Sequence, residues 1–254
     1  MVDALMGALA PVLPRQVPAA PHGSDLCMSW GGVDPLSHRN FVYMKCTTGG
    51  TGATWHGDGV DRMACDIVNS RNIPAEAAEL EFLVRVWANR LRIDSGGAGR
   101  FRGGLGVERI VELRRRDVTV SHRSDRHFTP PWGLHGGCPG ARWTTRVWRA
   151  DGRRETVSGR TIFRKTSGDR VIGLTGGGGG FGDPLQRSPE QVADDVREGE
   201  TSPRAAQDRC GVVIGADGNV DQGTTVRLRA SMTPRSVDID RGVHSLALEF
   251  ADDT

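Results

Sequence analysis

Asp94-Ser95-Gly96-Gly97-Ala98-Gly99-Arg100-Phe101-Arg102-Gly103-Gly104-Leu105-Gly106 is the stretch on which the reading of the fold turns. Glycines release backbone N–H groups from side-chain crowding, and Arg100 and Arg102 add two guanidinium forks, so a concave anion site is one reading. The other is a tight connection between strands where only glycine fits. Two nucleotide motifs are excluded. A P-loop needs GxxxxGK[ST], and the dinucleotide fingerprint needs GxGxxG between a strand and a helix. Here the spacings fail, and the apolar alternation of Val107–Leu113 predicts a strand immediately afterwards.

A second glycine stretch, Gly176-Gly177-Gly178-Gly179-Gly180-Phe181-Gly182-Asp183-Pro184, reads as backbone pressed against other chain rather than as a flexible linker. A helix opens directly after it, with Ser188 as N-cap, Pro189 at the first position, Gln191 in capping-box spacing and Gly199 as the stop. The grammar repeats with Ser202, Pro203 and Cys210-Gly211, and the apolar run Val212-Val213-Ile214 is expected to be a strand.

Further strands are predicted at Phe41–Thr47, within Glu81–Ile93, and at Val118–Ser121, Trp143–Ala150, Glu155–Ser158 and Arg170–Leu174, with Asp151-Gly152 as a hairpin turn. Asn72–Leu80 carries Pro74 ahead of good helix formers. Val2, Leu5, Met6 and Leu9 make a short amphipathic helix at the start, without the preceding basic residue of a signal peptide. The fold class is therefore α+β. It is β-rich with mostly antiparallel strands, Gly-rich loops, a short N-terminal helix and two short helices near the C-terminus. Residues 1–187 are the β-rich region and 188–235 a helical segment of the same domain. Residues 236–254 form a tail of unassigned structure, strand-like at Ser245–Phe250.

Composition excludes more than it names. The 33 basic and 31 acidic residues intermix, with no basic stripe for nucleic acid, and no stretch reaches the roughly 20 apolar residues of a membrane span. All but two of the cations are arginines, which suits bidentate carboxylate or phosphate contacts and is equally what a codon bias gives. Five cysteines, an odd number without CxxC spacing, fit a reduced, cytoplasmic setting. Glycine, with 35 residues, has about twice its ordinary share.

Three clusters invite a chemical reading. His122 and His127 flank Asp125, but an i, i+5 spacing suits neither a helical nor a strand-borne metal pair. A strand end bearing solvated polar groups is the favoured reading, and Asp125 paired with Arg123 or Arg126 in a fixed ion pair is the intermediate one. Asp58 and Asp61 suit a cation or the local hydrogen bonds of a Gly-flanked turn. No GxSxG elbow is present, and Cys138 has no context that lowers its pKa.

The order of these strings carries a resemblance: Gly49–Ala53, Asp58-Gly59, residues 69–76, Asp94–Gly106, Ser124-Asp125-Arg126, Pro131–Leu134, Gly136–Gly140 and Gly177–Pro184. Together with Ser202–Ile214 they resemble the carboxy-terminal half of hydantoinase B/5-oxoprolinase proteins over roughly residues 1–230. The resemblance implies a part of an ATP-dependent amidohydrolase that opens 5-oxoproline, a hydantoin or a lactam. Phosphorylating the amide oxygen turns it into part of a leaving group. The resemblance also implies ATP on an A-type partner subunit, a divalent metal on a B-type amino-terminal half, no cofactor on this half, and a hetero-oligomer of these pieces. Catalytic residues of the family do not map onto this chain. Asp94, Arg100, Asp125 and Arg126 are the candidates for substrate or interface contacts, each beside glycine or at a predicted strand end. His135 stands where the family pattern suggests a large apolar residue, and the last twenty or so residues have no counterpart. A non-catalytic assembly or binding module and a subunit of a related ATP-dependent ketone carboxylase are the alternatives.

Overall fold

Alternating burial along the chain builds a two-sheet sandwich in a computed structural model that describes residues 2–34, 37–65, 68, 71–82, 84–114 and 118–242. Helix α1 (Val2–Leu9) is followed by β1 (Leu26–Val33), β2 (Asn40–Thr47) and α2 (Ala75–Glu81). Next come β3 (Val84–Leu91), β4 (Val107–Leu113), β5 (Val118–Arg123) and the two-residue β6 (Gly133–Leu134). The second half of the sandwich contains β7 (Thr144–Trp148), β8 (Arg154–Val157), β9 (Arg160–Lys165) and β10 (Arg170–Leu174). Three helices, α3 (Pro189–Arg197), α4 (Pro203–Cys210) and α5 (Gln222–Ser231), precede β11 (Ile239–Asp240).

Among the described residues the named strands all pair antiparallel, and one isolated parallel bridge joins Leu134 to Phe181. One sheet has the order β2-β1-β5-β9 and the other β3-β4-β10-β7-β8. Their inward side chains meet in one cluster that includes Trp30, Tyr43, Val84, Leu113, Val120 and Val171. Fully burying aliphatic side chains of this size contributes about 1.5–3 kcal/mol each. The Asp151-Gly152 turn joins β7 to β8 with Gly152 at φ +90°, as its hairpin signal predicts.

Between the sandwich and the helices lies the glycine run, and its bonding has a period of three. The N–H groups of Gly177 and Gly180 donate to Ala141 and Cys138, on one neighbouring segment. The carbonyls of Gly176 and Gly179 accept from Gly50 and Ala53, on another. Gly178 donates to Gly104 and accepts from Gly97, at 2.8 Å each. These bonds all go to other segments, and every third residue faces the same neighbour. That is the geometry of a polyproline-II-type helix, which has three residues per turn and no internal hydrogen bonds. The neighbours are bonded to one another as well: Gly104 to Thr51, Ala20 to Trp132, and Cys138 to Ala98. Backbones meet with no room for side chains. A Cβ on Gly178 would overlap the Thr51 carbonyl, and one on Gly103 the Gly178 carbonyl.

The helical end follows its capping grammar. Ser188 Oγ accepts from Gln191 N, Ser202 Oγ accepts from Ala205 N, and Gly199 and Gly211 stop their helices at φ +76° and +63°. Val192, Ala206, Cys210 and Val212 pack with Ala98 of the glycine motif. Two expectations change here. Among the described residues Val212–Ile214 has no sheet partner beyond one bridge from Ile214 to Val220, and the side chains of Val212 and Ile214 pack in the helix cluster. A third helix, α5, joins the expected two, capped by Asp221 accepting from Thr224 N at 2.9 Å. Within the tail, β11 pairs with β6, and the strand-like Ser245–Phe250 lies outside the described residues.

Close backbone packing makes a specific prediction. Gly178→Ala loses several kcal/mol of stability, about 3 or more, because two backbones must separate. Gly7→Ala, whose Cβ would lie 3.7 Å from the Trp132 ring inside a helix, is neutral or stabilises by about 0.5–1 kcal/mol. Urea unfolding of the two variants measures the contrast, and equal effects would contradict the packing.

Candidate functional site

The polar groups that gather around the glycine bundle are mostly engaged with one another. Asp58 accepts from the backbone N–H of Arg102 at 2.7 Å, and Asp61 accepts from that of Leu105 at 2.7 Å. The turn carboxylates thus reach 44 residues along the chain rather than bonding locally. Asp58 also grips Arg187 with both oxygens, at 2.8 Å each, and Arg187 is held on its other side by Asp195 at 2.9 Å. Arg102 pairs with Asp61 at 3.2 Å and Glu200 at 2.7 Å. Burial opposes the charge on Arg187, but Asp58 and Asp195 outweigh it and hold its pKa above the usual value. Asp58 and Asp61 are therefore occupied by arginines and tie the Gly-rich loop to α3.

Asp94 sits at φ +62°, with its side chain accepting from Ser202 N at 2.7 Å. Its carbonyl accepts from Arg209 at 3.2 Å. It therefore locks the glycine motif to the start of α4. Arg126, at φ +55°, reaches Asp3 of α1 at 2.5 Å and lies over Gly23. Asp125 accepts from Ser24 Oγ, and the guanidinium that reaches it, at 4.0 Å, is that of Arg160 rather than Arg123 or Arg126. Asp125 and Arg126 line an open cleft beside α1 with Asp3, Thr129 and Arg241.

Arg100 is elsewhere. It borders an open cleft of about 360 Å³ with Arg15, Trp55, His135 and Phe181. The Arg15 guanidinium lies 5.8 Å from the Trp55 ring centre and that of Arg100 lies 5.3 Å from Phe101. His135 is held at φ +51° by a backbone bond to Asp238, with its ring 5.0 Å from Phe181. Two exposed guanidiniums above aromatic faces suit a planar anion, through charge and cation–π contact. The four candidates thus fall in three places, and the structure adds Arg15, Trp55 and His135 to Arg100. Nothing in local spacing signals that set, because its members come from four separated loops.

His122 and His127 do meet, with ring centres 5.7 Å apart in an edge-to-face contact. His122 Nε2 is 2.8 Å from Thr145 Oγ1 in the interior. Burial lowers the pKa of His122 to about 4, with His127 pushing the same way, and burial also lowers that of His127. His22, fully buried beneath Trp143, is lowered to about 4 by burial as well. Among the described residues no three His, Cys, Asp or Glu side chains converge as a metal set. No helix among them is long and apolar enough to cross a membrane.

Several known proteins are similar to this chain. A family model described as Hydantoinase B/oxoprolinase matches residues 1–184. The B-type component of a putative D-/L-hydantoinase from Pseudomonas sp. strain NS671 is 33% identical over 90% of this chain and 38% of its own length. The beta subunit of the caprolactamase of Pseudomonas jessenii is 31% identical over 91% of this chain and 41% of its own length. The acetone carboxylase alpha subunit of Xanthobacter autotrophicus is 29% identical over 74% and 29%. Solved structures of an acetone carboxylase and of the ATP-dependent caprolactamase from P. jessenii superpose with TM-scores of 0.68 and 0.67, each at 26% identity. They cover 85% and 88% of this chain, which in turn covers 33% and 40% of theirs. The chain spans about two fifths or less of the relatives it matches.

The two buried imidazoles set a pH dependence. In the unfolded chain each binds a proton near pH 6.5, whereas in the fold each stays neutral to about pH 4. Between those values the unfolded state holds more protons, so stability falls as pH falls, by up to about 3 kcal/mol per histidine. His122→Asn, which keeps a partner for Thr145, makes the decline between pH 6.5 and 4 shallower in urea titrations. An unchanged slope in that variant would contradict the buried neutral imidazole.

Proposed function

This chain belongs to the hydantoinase B/oxoprolinase family, and from that membership we propose that it supplies the carboxy-terminal half of a B-type subunit in an ATP-dependent hydrolase of cyclic amides. The substrate class is 5-oxoproline, a hydantoin or a lactam. One observation supports a hydantoin or a lactam over a ketone. The relatives named for hydantoin and caprolactam align along 90% and 91% of this chain, against 74% for the acetone carboxylase relative. A ketone carboxylase subunit is the second reading, supported by the TM-score of 0.68 with acetone carboxylase.

In the proposed assembly, ATP is handled by an A-type partner that phosphorylates the amide oxygen. A divalent metal is held on the amino-terminal half of the B-type subunit. No step is assigned to a metal on this chain, since its described side chains offer no converging ligand set. Residues 1–187 and the helical segment 188–235 act as one domain, a reading supported by the ion pairs from Arg187 to Asp58 and Asp195. The working location is the cytoplasm, where ATP is supplied. Arg100, with Arg15 and His135, is the contact for an anionic group of the substrate or of the partner subunit. Asp94, Asp125 and Arg126 set the surfaces against which those pieces dock.

Reconstitution tests this. The chain is purified together with an amino-terminal B-type segment and an A-type subunit, then assayed with ATP on 5-oxoproline, hydantoin and caprolactam. Ring-opened product and ADP are expected only when all three pieces are present, and Arg100→Ala lowers kcat/KM by about tenfold, the loss of one charged contact of about 1.4 kcal/mol. Carboxylated product from acetone and bicarbonate, with no ring opening, would transfer the chain to the second reading.

A further inference from the structure

Cys27 and Cys46 have no sequence motif in common, yet β1 and β2 pair them directly across the sheet. Their Sγ atoms lie 3.0 Å apart. Opposed residues of an antiparallel pair have Cα atoms about 4.5–5.5 Å apart, inside the span that a disulfide bridges without backbone movement. Side-chain rotation is all that closure requires.

Placement makes the pair accessible. Met28 and Trp30 on β1, and Tyr43 and Lys45 on β2, point into the sandwich. Cys27 and Cys46 occupy the alternate positions, on the outer face, and are half-buried beside the exposed Met44. Among the described residues the sheet order leaves β2 at an edge, with no further strand of theirs beside the pair on that side. The other thiols are placed differently. Cys65 is buried and donates to the Gly23 carbonyl at 2.6 Å, Cys210 is buried in the helix cluster, and Cys138 packs against that same cluster.

We propose that Cys27 and Cys46 are a redox-active dithiol, converted by small-molecule disulfides such as glutathione disulfide into a cross-strand bond that staples the edge strand β2 to β1. One cysteine thiolate attacks a sulfur of glutathione disulfide and expels a glutathione thiolate, leaving a protein–glutathione mixed disulfide. The second cysteine, deprotonated, attacks the protein sulfur of that bond and expels the second glutathione thiolate. The two thiol protons end on the two glutathiones. The cysteine pair has lost two electrons and the glutathione disulfide has gained them. Arg123 lies opposite Cys27 on β5 and favours its thiolate, but burial and the contact with Cys46 outweigh it and hold that thiol up at about 12. Oxidation is accordingly slow at neutral pH and accelerates as pH rises.

The test uses the whole chain, reduced and then incubated with glutathione disulfide at pH 7 and pH 9, with alkylation of remaining thiols and mass spectrometry. The expected product has lost two thiols and about 2 Da, the two hydrogens given up in exchange. Peptide mapping joins Cys27 to Cys46, dithiothreitol reverses the change, and the rate is higher at pH 9. Cys27→Ser and Cys46→Ser each accumulate the mixed disulfide with glutathione, since the resolving thiol is gone. Persistence of that adduct on the unsubstituted chain, retention of all five thiols, linkage to Cys65, Cys138 or Cys210, or linkage between chains would each overturn the proposal.

Discussion

Contact between bare backbones is the constraint on which this structure depends. Gly176–Gly180 threads between segments near residues 20, 50–53, 96–104, 132–134 and 138–141, and all the amides from Gly177 to Gly180 donate to one of them. Five consecutive glycines carry a heavy entropic penalty on ordering, because each samples more backbone conformations than any other residue. Inter-segment hydrogen bonds and close dispersion contact offset it, and both require that no side chain intervene. Glycine is therefore needed along the run itself and at several of the positions facing it, such as Gly50, Gly97, Gly103 and Gly104, while Ala20, Ala53, Cys138 and Ala141 meet it through their backbones alone. That explains why the glycines cluster in the separated stretches 49–52, 96–106, 133–140 and 176–182 instead of being spread along the chain.

Charge then fastens the bundle to its surroundings. Arg187 bridges the turn at Asp58 and helix α3 through Asp195, and Arg102 joins Asp61 to Glu200. A guanidinium satisfies two carboxylates at once with a planar fork, which an ammonium does not. Buried ion pairs add little net stability over apolar packing, yet removing one partner strands a charge and is costly. These pairs therefore specify where the helical segment sits more than how stable the chain is. Among the described residues, the open clefts include one with Arg100, Arg15 and His135, and one with Asp125 and Arg126.

Much of this was legible in the sequence wherever the determinants are local. The caps at Ser188 and Ser202, the Asp151-Gly152 hairpin, and strand Arg170–Leu174 follow from residue type and alternation. The glycine run was readable as packed chain because a capped helix follows it directly. Strand β9 was not, because its pattern is inverted: Ile162 faces outward, 73% exposed, while Lys165 is fully buried over the Trp30 ring. Helix α5 buries only Thr225, so no apolar stripe announces it. Val212–Ile214 has strand composition, but its burial comes from helices. The partners of Asp58, and the pairing of Cys27 with Cys46, depend on contacts 129 and 19 residues apart, which spacing rules do not encode.

Native-state hydrogen exchange at Gly177, Gly178, Gly179 and Gly180 tests the central account most directly. If the run is an interior polyproline-II-type helix, its amides exchange only by global unfolding, with protection equal to that of Val111 and Val171 in the sandwich core. Exchange at rates near those of an unstructured peptide, while the core strands stay protected, would make the run a linker and contradict the account.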